Sequence, residues 1–236
     1  EAVHLMRGDP GTQLSLSVYR SSDGKEHDFR IIREIINVPS VEAKVIDSAN
    51  QIGYISLNQF ASRSAEEMKE SVDDLMDNKK VRGLILDLRN NGGGDFDVSI
   101  AIAGIFLDGD KVVSSVDAQG NEKVYQASKG KVDIPLVVLV NEDSASASEI
   151  LAAALRDNQR AVLVGKKTFG KGLVQTVFPL RNGGALKLTT QKYYTPAGID
   201  INEVGITPDY VVENNADEDK DLQLDKATSV LKKQIY

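Results

Sequence analysis

The 236-residue chain has no cysteine and no tryptophan, only two histidines, and 6% aromatic residues. Without cysteine there is no disulfide, no thiolate nucleophile and no thiolate metal site. That absence also suits an exported protein. The formal net charge is −7, so the chain lacks the basic excess expected of a general nucleic-acid binder. No apolar run reaches the roughly 20 residues needed to span a bilayer as a helix. Residues Glu1 to Gly8 lack the charged, then apolar, then small-residue order of a signal peptide. The chain reads as starting inside a folded element, as a fragment. The shortage of histidine matters most. Both, His4 and His27, fall in an N-terminal stretch that reads as a separate module. A serine nucleophile elsewhere in the chain needs another base, and a neutral lysine is the known alternative.

Residues 1–8 predict a helix end stopped by Gly8. Leu14, Leu16 and Val18 alternate with polar neighbours, and Phe29 and Ile31 resume the pattern after Ser21-Ser-Asp-Gly24, which predicts a hairpin. Residues 34–40, with Pro39, read as a linker. From Val41 strands alternate with helices. Strands are predicted at Val41–Ile46, Ile52–Leu57, Gly83–Asp87, Pro135–Val140 and Ala161–Val164, and helices at Ser64–Lys80, Val98–Leu107 and Ser146–Leu155. Ser64 and Glu67 have capping-box spacing. Leu173–Phe178 and Leu186–Tyr193 pair across Arg181-Asn-Gly-Gly184, residues 214–221 form an acidic loop, and a helix around Leu222–Ile235 closes the chain. The apolar runs at Gly83–Asp87 and Pro135–Val140 read as strands buried on both faces. The expected fold class is α/β (mixed α+β), a mixed sheet flanked by helices.

Three segments carry chemistry. The first is Asp87-Leu-Arg-Asn-Asn-Gly92-Gly-Gly94, after a buried strand. Its glycines let backbone N–H groups approach a phosphate or a developing oxyanion, and a simple tight turn explains them about as well. The second is Ser146, which alternates with Ala145 and Ala147 at the mouth of a helix. It suits a nucleophile, while helix capping is the plain competitor. The third is Gly165-Lys-Lys-Thr-Phe-Gly170-Lys171-Gly172, close to the phosphate-loop pattern G-x-x-x-x-G-K-[ST]. Gly172 replaces the magnesium-ligating hydroxyl, and the β-branched run after it predicts a strand where a phosphate loop opens a helix, which disfavours nucleotide binding. Lys171 reads better as a base. At pH 7 an ordinary lysine is neutral in only about one molecule in 2,500, so this reading seats it deep in a dry pocket. Gln175 lies four residues on, on the same strand face, where its amide could hold the amine. Taken alone it is an ordinary strand polar residue.

Together these residues resemble the carboxyl-terminal processing, or tail-specific, proteases of bacteria and photosynthetic organelles. The similarity lies in Leu86–Gly94, Ser144–Leu151, Lys167–Gly172 with Gln175, and Tyr194-Thr-Pro-Ala-Gly198 leading to Gly205-Ile-Thr-Pro-Asp209. These segments run in family order from Val41 to near the end. The resemblance implies a serine endopeptidase with Ser146 as nucleophile, Lys171 as general base and Gln175 orienting it. It places the oxyanion hole at Gly93 or Gly94 and Ala147, and implies no metal or cofactor. Residues 1–33 resemble the closing part of the PDZ domain that precedes the family's protease core, here residues 41–236. Implied partners are protein or peptide substrates bound by their C-terminal region along a sheet edge, with room for a homo-oligomer or an adaptor. The implied location is the bacterial envelope or periplasm, or an organelle lumen. Many members carry proline where Gly92 stands, and glycine is common in the place of Glu203. A non-catalytic peptide-binding scaffold of the same fold is the alternative.

Overall fold

The apolar runs of the sequence become the centre of a six-stranded sheet in the computed structural model, which describes residues 2–35, 38–130, 132–181, 183–214 and 220–236. The chain divides into two compact units, Glu1–Val38 and Pro39–Tyr236. Residues 36 and 37 of the expected linker lie outside the described residues.

The first unit holds a short helix α1 (Ala2–Met6) and an antiparallel hairpin, β1 (Gln13–Arg20) and β2 (Lys25–Ile32), turned at the predicted Ser21–Gly24. Arg33 ties it together by donating to the Met6 carbonyl at 2.9 Å and to Thr12 Oγ1 at 2.8 Å. No described residue of this unit is fully buried, and isolated hairpins are marginal in water.

In the second unit the large sheet runs β12 (Tyr210–Val211), β9 (Val162–Gly165), β8 (Leu136–Val140), β5 (Gly83–Asp87), β4 (Ile52–Leu57), β3 (Val41–Asp47). Only β3 is antiparallel to its neighbour; the other pairings are parallel. Successive residues of β5 and β8 enter two different cores, as their continuous apolar character requires. Leu84, Leu86, Val138 and Val140 pack in the larger one, with α2 (Ser64–Asp73), α3 (Phe96–Phe106) and α4 (Ala147–Asp157). Ile85, Val137 and Leu139 face Ala227, Val230 and Leu231 of the last helix, α5 (Leu222–Ile235).

The sequence predicts one mixed sheet, and the structure adds a second. A four-stranded antiparallel sheet is ordered β10 (Leu173–Pro179), β11 (Ala185–Tyr194), β6 (Lys111–Asp117), β7 (Glu122–Gln126). The β10–β11 hairpin was expected; β6 and β7 were not. Two further local expectations change. The predicted helix to Lys80 finishes as a π-helical turn over Asp74–Asn78. Ser64 and Glu67 do not form a capping box. Arg63 is the N-cap residue, the Ser64 hydroxyl donates to the Gln59 carbonyl, and Glu67 accepts from Ser40 N and Oγ at 2.9 and 2.7 Å. Glu67 is drawn away because a nearby chain segment offers it two donors.

Candidate active site

Strands β5 and β8 are neighbours and parallel, with Asp87 opposite Leu139. The loops that leave their carboxyl ends therefore emerge side by side, where open α/β sheets place their sites. They are stitched together. Asn90 N–H donates to Asn141 Oδ1 at 2.8 Å, and Asn141 Nδ2 donates to Asn90 Oδ1 at 2.7 Å. The Asn91 carbonyl accepts from Ala145 N at 3.0 Å and from Ser148 Oγ at 2.8 Å. Ser144 Oγ donates to the Leu88 carbonyl at 2.8 Å. Ser144 and Ser148 are thus buried and spoken for by the glycine loop. Ser146 is the partly exposed one of the three.

Ser146 occupies the N-cap of α4, so capping and the candidate nucleophile position coincide in one residue. Its backbone has φ 57° and ψ −116°, a conformation normally left to glycine. Such a residue costs of order 1–3 kcal/mol and persists only where its surroundings hold it. Glu149, three residues on, supplies much of that hold. It is fully buried. One oxygen accepts from Ser146 N at 2.9 Å and Lys171 N at 2.8 Å; the other accepts from Thr168 Oγ1 at 2.6 Å and Gly170 N at 2.7 Å. The positive end of the α4 dipole favours an acidic side chain in this first turn. One carboxyl group therefore fixes the main chain at Ser146 and at Lys171. Sequence reasoning missed Glu149, although Ser-x-x-Glu spacing at a helix start was its signal.

Ser146, Lys171, Gln175, Gly94 and Ala147 line one cleft of about 430 Å³. No histidine is among its lining residues; His27 lies 2.8 Å from Asp23 Oδ2 in the first unit. The expected deep, dry seat for Lys171 is not built. Gly170 and Gly172 are buried and pack their backbones against Glu203 and Asn202, but the Lys171 side chain is exposed, as is Gln175. The glycines sink the main chain and turn the side chain out into the cleft. Strand β10 does follow the Gly165–Gly172 segment, so the helix of a phosphate loop is absent there. A β-bulge between Val174 and Gln175 lets Leu173, Val174 and Gln175 all line the cleft.

In the glycine loop, Gly93 N–H donates to Asn91 Oδ1 at 2.9 Å. Gly94 N–H and Ala147 N–H have no hydrogen-bond partner among the described residues. Gly93 has φ 101°, and a Cβ there would come within 2.7 Å of the Ala145 carbonyl and 2.9 Å of Ser146 Cβ. Only glycine allows this approach to the serine.

The remaining wall comes from residues the sequence did not flag. Phe96 stacks on Tyr193 with centroids 5.1 Å apart and meets Tyr125 edge-on at 4.8 Å. Burial, with Tyr125 and Asp97 nearby, pushes the Tyr193 phenol up to about 12, so it stays neutral near pH 7. A larger depression of about 570 Å³ lies elsewhere, lined by Tyr54, Asp87, Arg89, Glu142 and Lys166. Its charges are paired internally: Arg89 with Asp87 at 2.6 Å and Asp221 at 2.8 Å, Lys166 with Glu142 at 2.9 Å. Burial opposes the Arg89 charge, but the bonds to Asp87 and Asp221 outweigh it and hold the group above the usual arginine range. This is a brace between β5 and the N-cap of α5, with its hydrogen-bonding capacity used.

Comparison with known proteins places the chain in a family. The profile of peptidase family S41 matches residues 51–212. The chain is 43% identical over 216 residues to the carboxyl-terminal-processing protease of Synechocystis sp., covering 90% of this chain and 50% of that protein. It is 42% identical over 219 residues to the carboxy-terminal-processing protease of Bartonella bacilliformis, covering 90% and 50% respectively. The chain thus spans about half the length of the curated relatives it matches. Among solved structures, a photosystem II D1 C-terminal processing protease superposes with a TM-score of 0.71 at 32% identity, covering 95% of this chain and 61% of that one. With a family profile matching more than half of its length, the chain belongs to peptidase family S41.

Proposed function

We propose that this chain is the catalytic part of a serine endopeptidase that cleaves near the C-termini of protein substrates. The observation that carries the reading is the convergence of Ser146, Lys171 and Gln175 on one cleft, with Glu149 holding the main chain of the first two. Ser146 Oγ attacks the scissile carbonyl as the neutral Lys171 amine takes its proton. The oxyanion of the tetrahedral intermediate accepts from Gly94 N–H and Ala147 N–H; Gly93, whose N–H is engaged by Asn91, shapes the approach. Lys171 then protonates the leaving amine, and water hydrolyses the acyl group on Ser146. Gln175 orients the lysine. The substrate lies as an added strand along β10, an edge strand of the four-stranded sheet. Seated there it covers the cleft and removes water around the lysine, an environment that favours a neutral amine. The hairpin of residues 1–33 is the closing part of a PDZ-like module. The relatives include bacterial and chloroplastic processing proteases, which supports placement in a bacterial envelope or an organelle lumen.

The test is cleavage of an unfolded protein by this chain, by Ser146→Ala and by Lys171→Ala. The first should cut and both variants should fall to background. Equal cleavage by all three, or by none while the fold is intact, refutes the assignment.

A further inference from the structure

The chain carries 35 acidic against 28 basic residues, yet the cleft shows the opposite balance. No acidic side chain lines it, and two lysines do, Lys171 and Lys187. Lys187 lies on β11 opposite Val177 of β10. Its amine has no ion pair or hydrogen bond among the described residues. Elsewhere Lys69, Lys111, Lys166, Lys192 and Lys232 each hold a carboxylate within ion-pair distance. Lys123 on β7 of the same sheet adds positive charge nearby, its Nζ 4.7 Å from the centroid of the Tyr125 ring that lines the cleft. The nearest acid, Glu149, is fully buried, does not line the cleft, and has its carboxylate engaged by four N–H and O–H donors. Asp97 acts on Tyr193 from the first turn of α3 but does not line the cleft. Asp117 accepts from Gln119 and Asn121 within its own turn. An unpaired surface lysine is ordinary; one that faces a reaction cleft lined by no carboxylate presents an unmatched cation to whatever binds.

We propose that Lys187 is a specificity residue that binds a substrate carboxylate close to the scissile bond. The proposal rests on the protease reading above. Its range follows from the sheet. Lys171 precedes β10 by two residues, and Val177, which faces Lys187, is six residues further on. A substrate strand beside β10 rises at the same rate of about 3.3 Å per residue, so the carboxylate falls within about six residues of the bond that is cut. It belongs either to an acidic side chain or to the terminal carboxyl group of the substrate.

Three peptides of one parent sequence separate these sources: neutral with an amidated end, neutral with a free end, and amidated with one acidic side chain within six residues of the cut. Cleavage is measured for the unmodified chain, Lys187→Gln and Lys187→Glu. Binding of the same labelled peptides is measured by fluorescence anisotropy on Ser146→Ala, with and without Lys187→Gln. A carboxylate peptide should exceed the neutral one in kcat/KM and in affinity by about three- to tenfold, mainly through KM. The ratio should fall to near one in Lys187→Gln, below one in Lys187→Glu, and shrink with added salt. The peptide that responds identifies the source. A ratio that is the same in all variants, or no carboxylate preference at all, overturns the proposal. Absence of any cleavage would refute the protease reading instead, and the anisotropy comparison would still decide the role of Lys187.

Discussion

Replacing Glu149 tests the claim that one buried carboxyl group sets the geometry of the cleft. In Glu149→Ala four donors lose their acceptor: Ser146 N, Thr168 Oγ1, Gly170 N and Lys171 N. An orphaned buried donor costs about 1–3 kcal/mol. Thr168 and Gly170 are buried and carry the full penalty, whereas Lys171 is exposed and water can serve its N–H. Those two alone sum to about 2–6 kcal/mol, a large share of the 5–15 kcal/mol that holds a domain together. Glu149→Gln keeps the shape and one acceptor oxygen but turns an NH2 group toward two of the donors. Its expected cost is about 2–4 kcal/mol, a fall in Tm of about 5–15 °C. The catalytic effect should be larger in proportion. Ser146 keeps its strained φ only while its surroundings enforce it, and a shift of about 1 Å can cost roughly 100-fold in rate. Thermal unfolding followed by circular dichroism gives the first number, and kcat and KM on a peptide substrate give the second. The expected result for Glu149→Gln is a folded protein with kcat down at least about 100-fold and KM within a few-fold of the parent. Parental Tm together with parental kcat would refute the tether.

Gly93→Ala should lower kcat by at least about 100-fold and destabilise by about 2–3 kcal/mol, because φ is 101° and the new methyl meets Ala145 and Ser146. Gly92→Ala, with no atom within 4 Å of its Cβ and no positive φ, should stay within about 0.5 kcal/mol of the parent in the same assays. Glu203 has φ 61°, so Glu203→Gly should raise stability by about 0.5–1 kcal/mol and Tm by a few degrees. The Asp47 carboxyl is held at about 2, first by Lys232 and then by Asn50. A lowered folded-state value contributes stability above the ordinary carboxyl range that is lost as pH falls toward 2. Lys232→Ala should therefore raise the Asp47 midpoint in a carboxyl NMR titration and move acid unfolding to higher pH.

Much of the fold could be read locally. Gly83–Asp87 matches β5 residue for residue, because an apolar run bounded by a turn and a polar loop has few other uses. Ser146 stands out in the sequence as a candidate because small residues follow a buried strand. What escaped depends on contacts distant in sequence. β6 and β7 lie within residues 108–134, where Ser114 and Ser115 interrupt the apolar pattern and β7 is largely exposed. With them went Tyr125, and so one wall of the cleft. Glu149 was passed over because three of its four partners arrive from residues 168–171. Lys171 is shallower than its flanking glycines suggest, because they bury the chain around it and leave the side chain exposed. Glu203, a departure from the family pattern, sits where the backbone is left-handed, which is the physical reason glycine is common there.

The Glu149 carboxylate holds Ser146 and Lys171 through their main-chain N–H groups and not through their side chains. The scaffold of the cleft is therefore independent of the two side chains proposed as nucleophile and base. Ser146→Ala or Lys171→Ala should leave every one of those four hydrogen bonds in place, so an inactive variant keeps an undistorted cleft. On the proposed protease reading such a protein is a capture reagent: it should hold a bound polypeptide uncut, and the species it retains can then be identified directly.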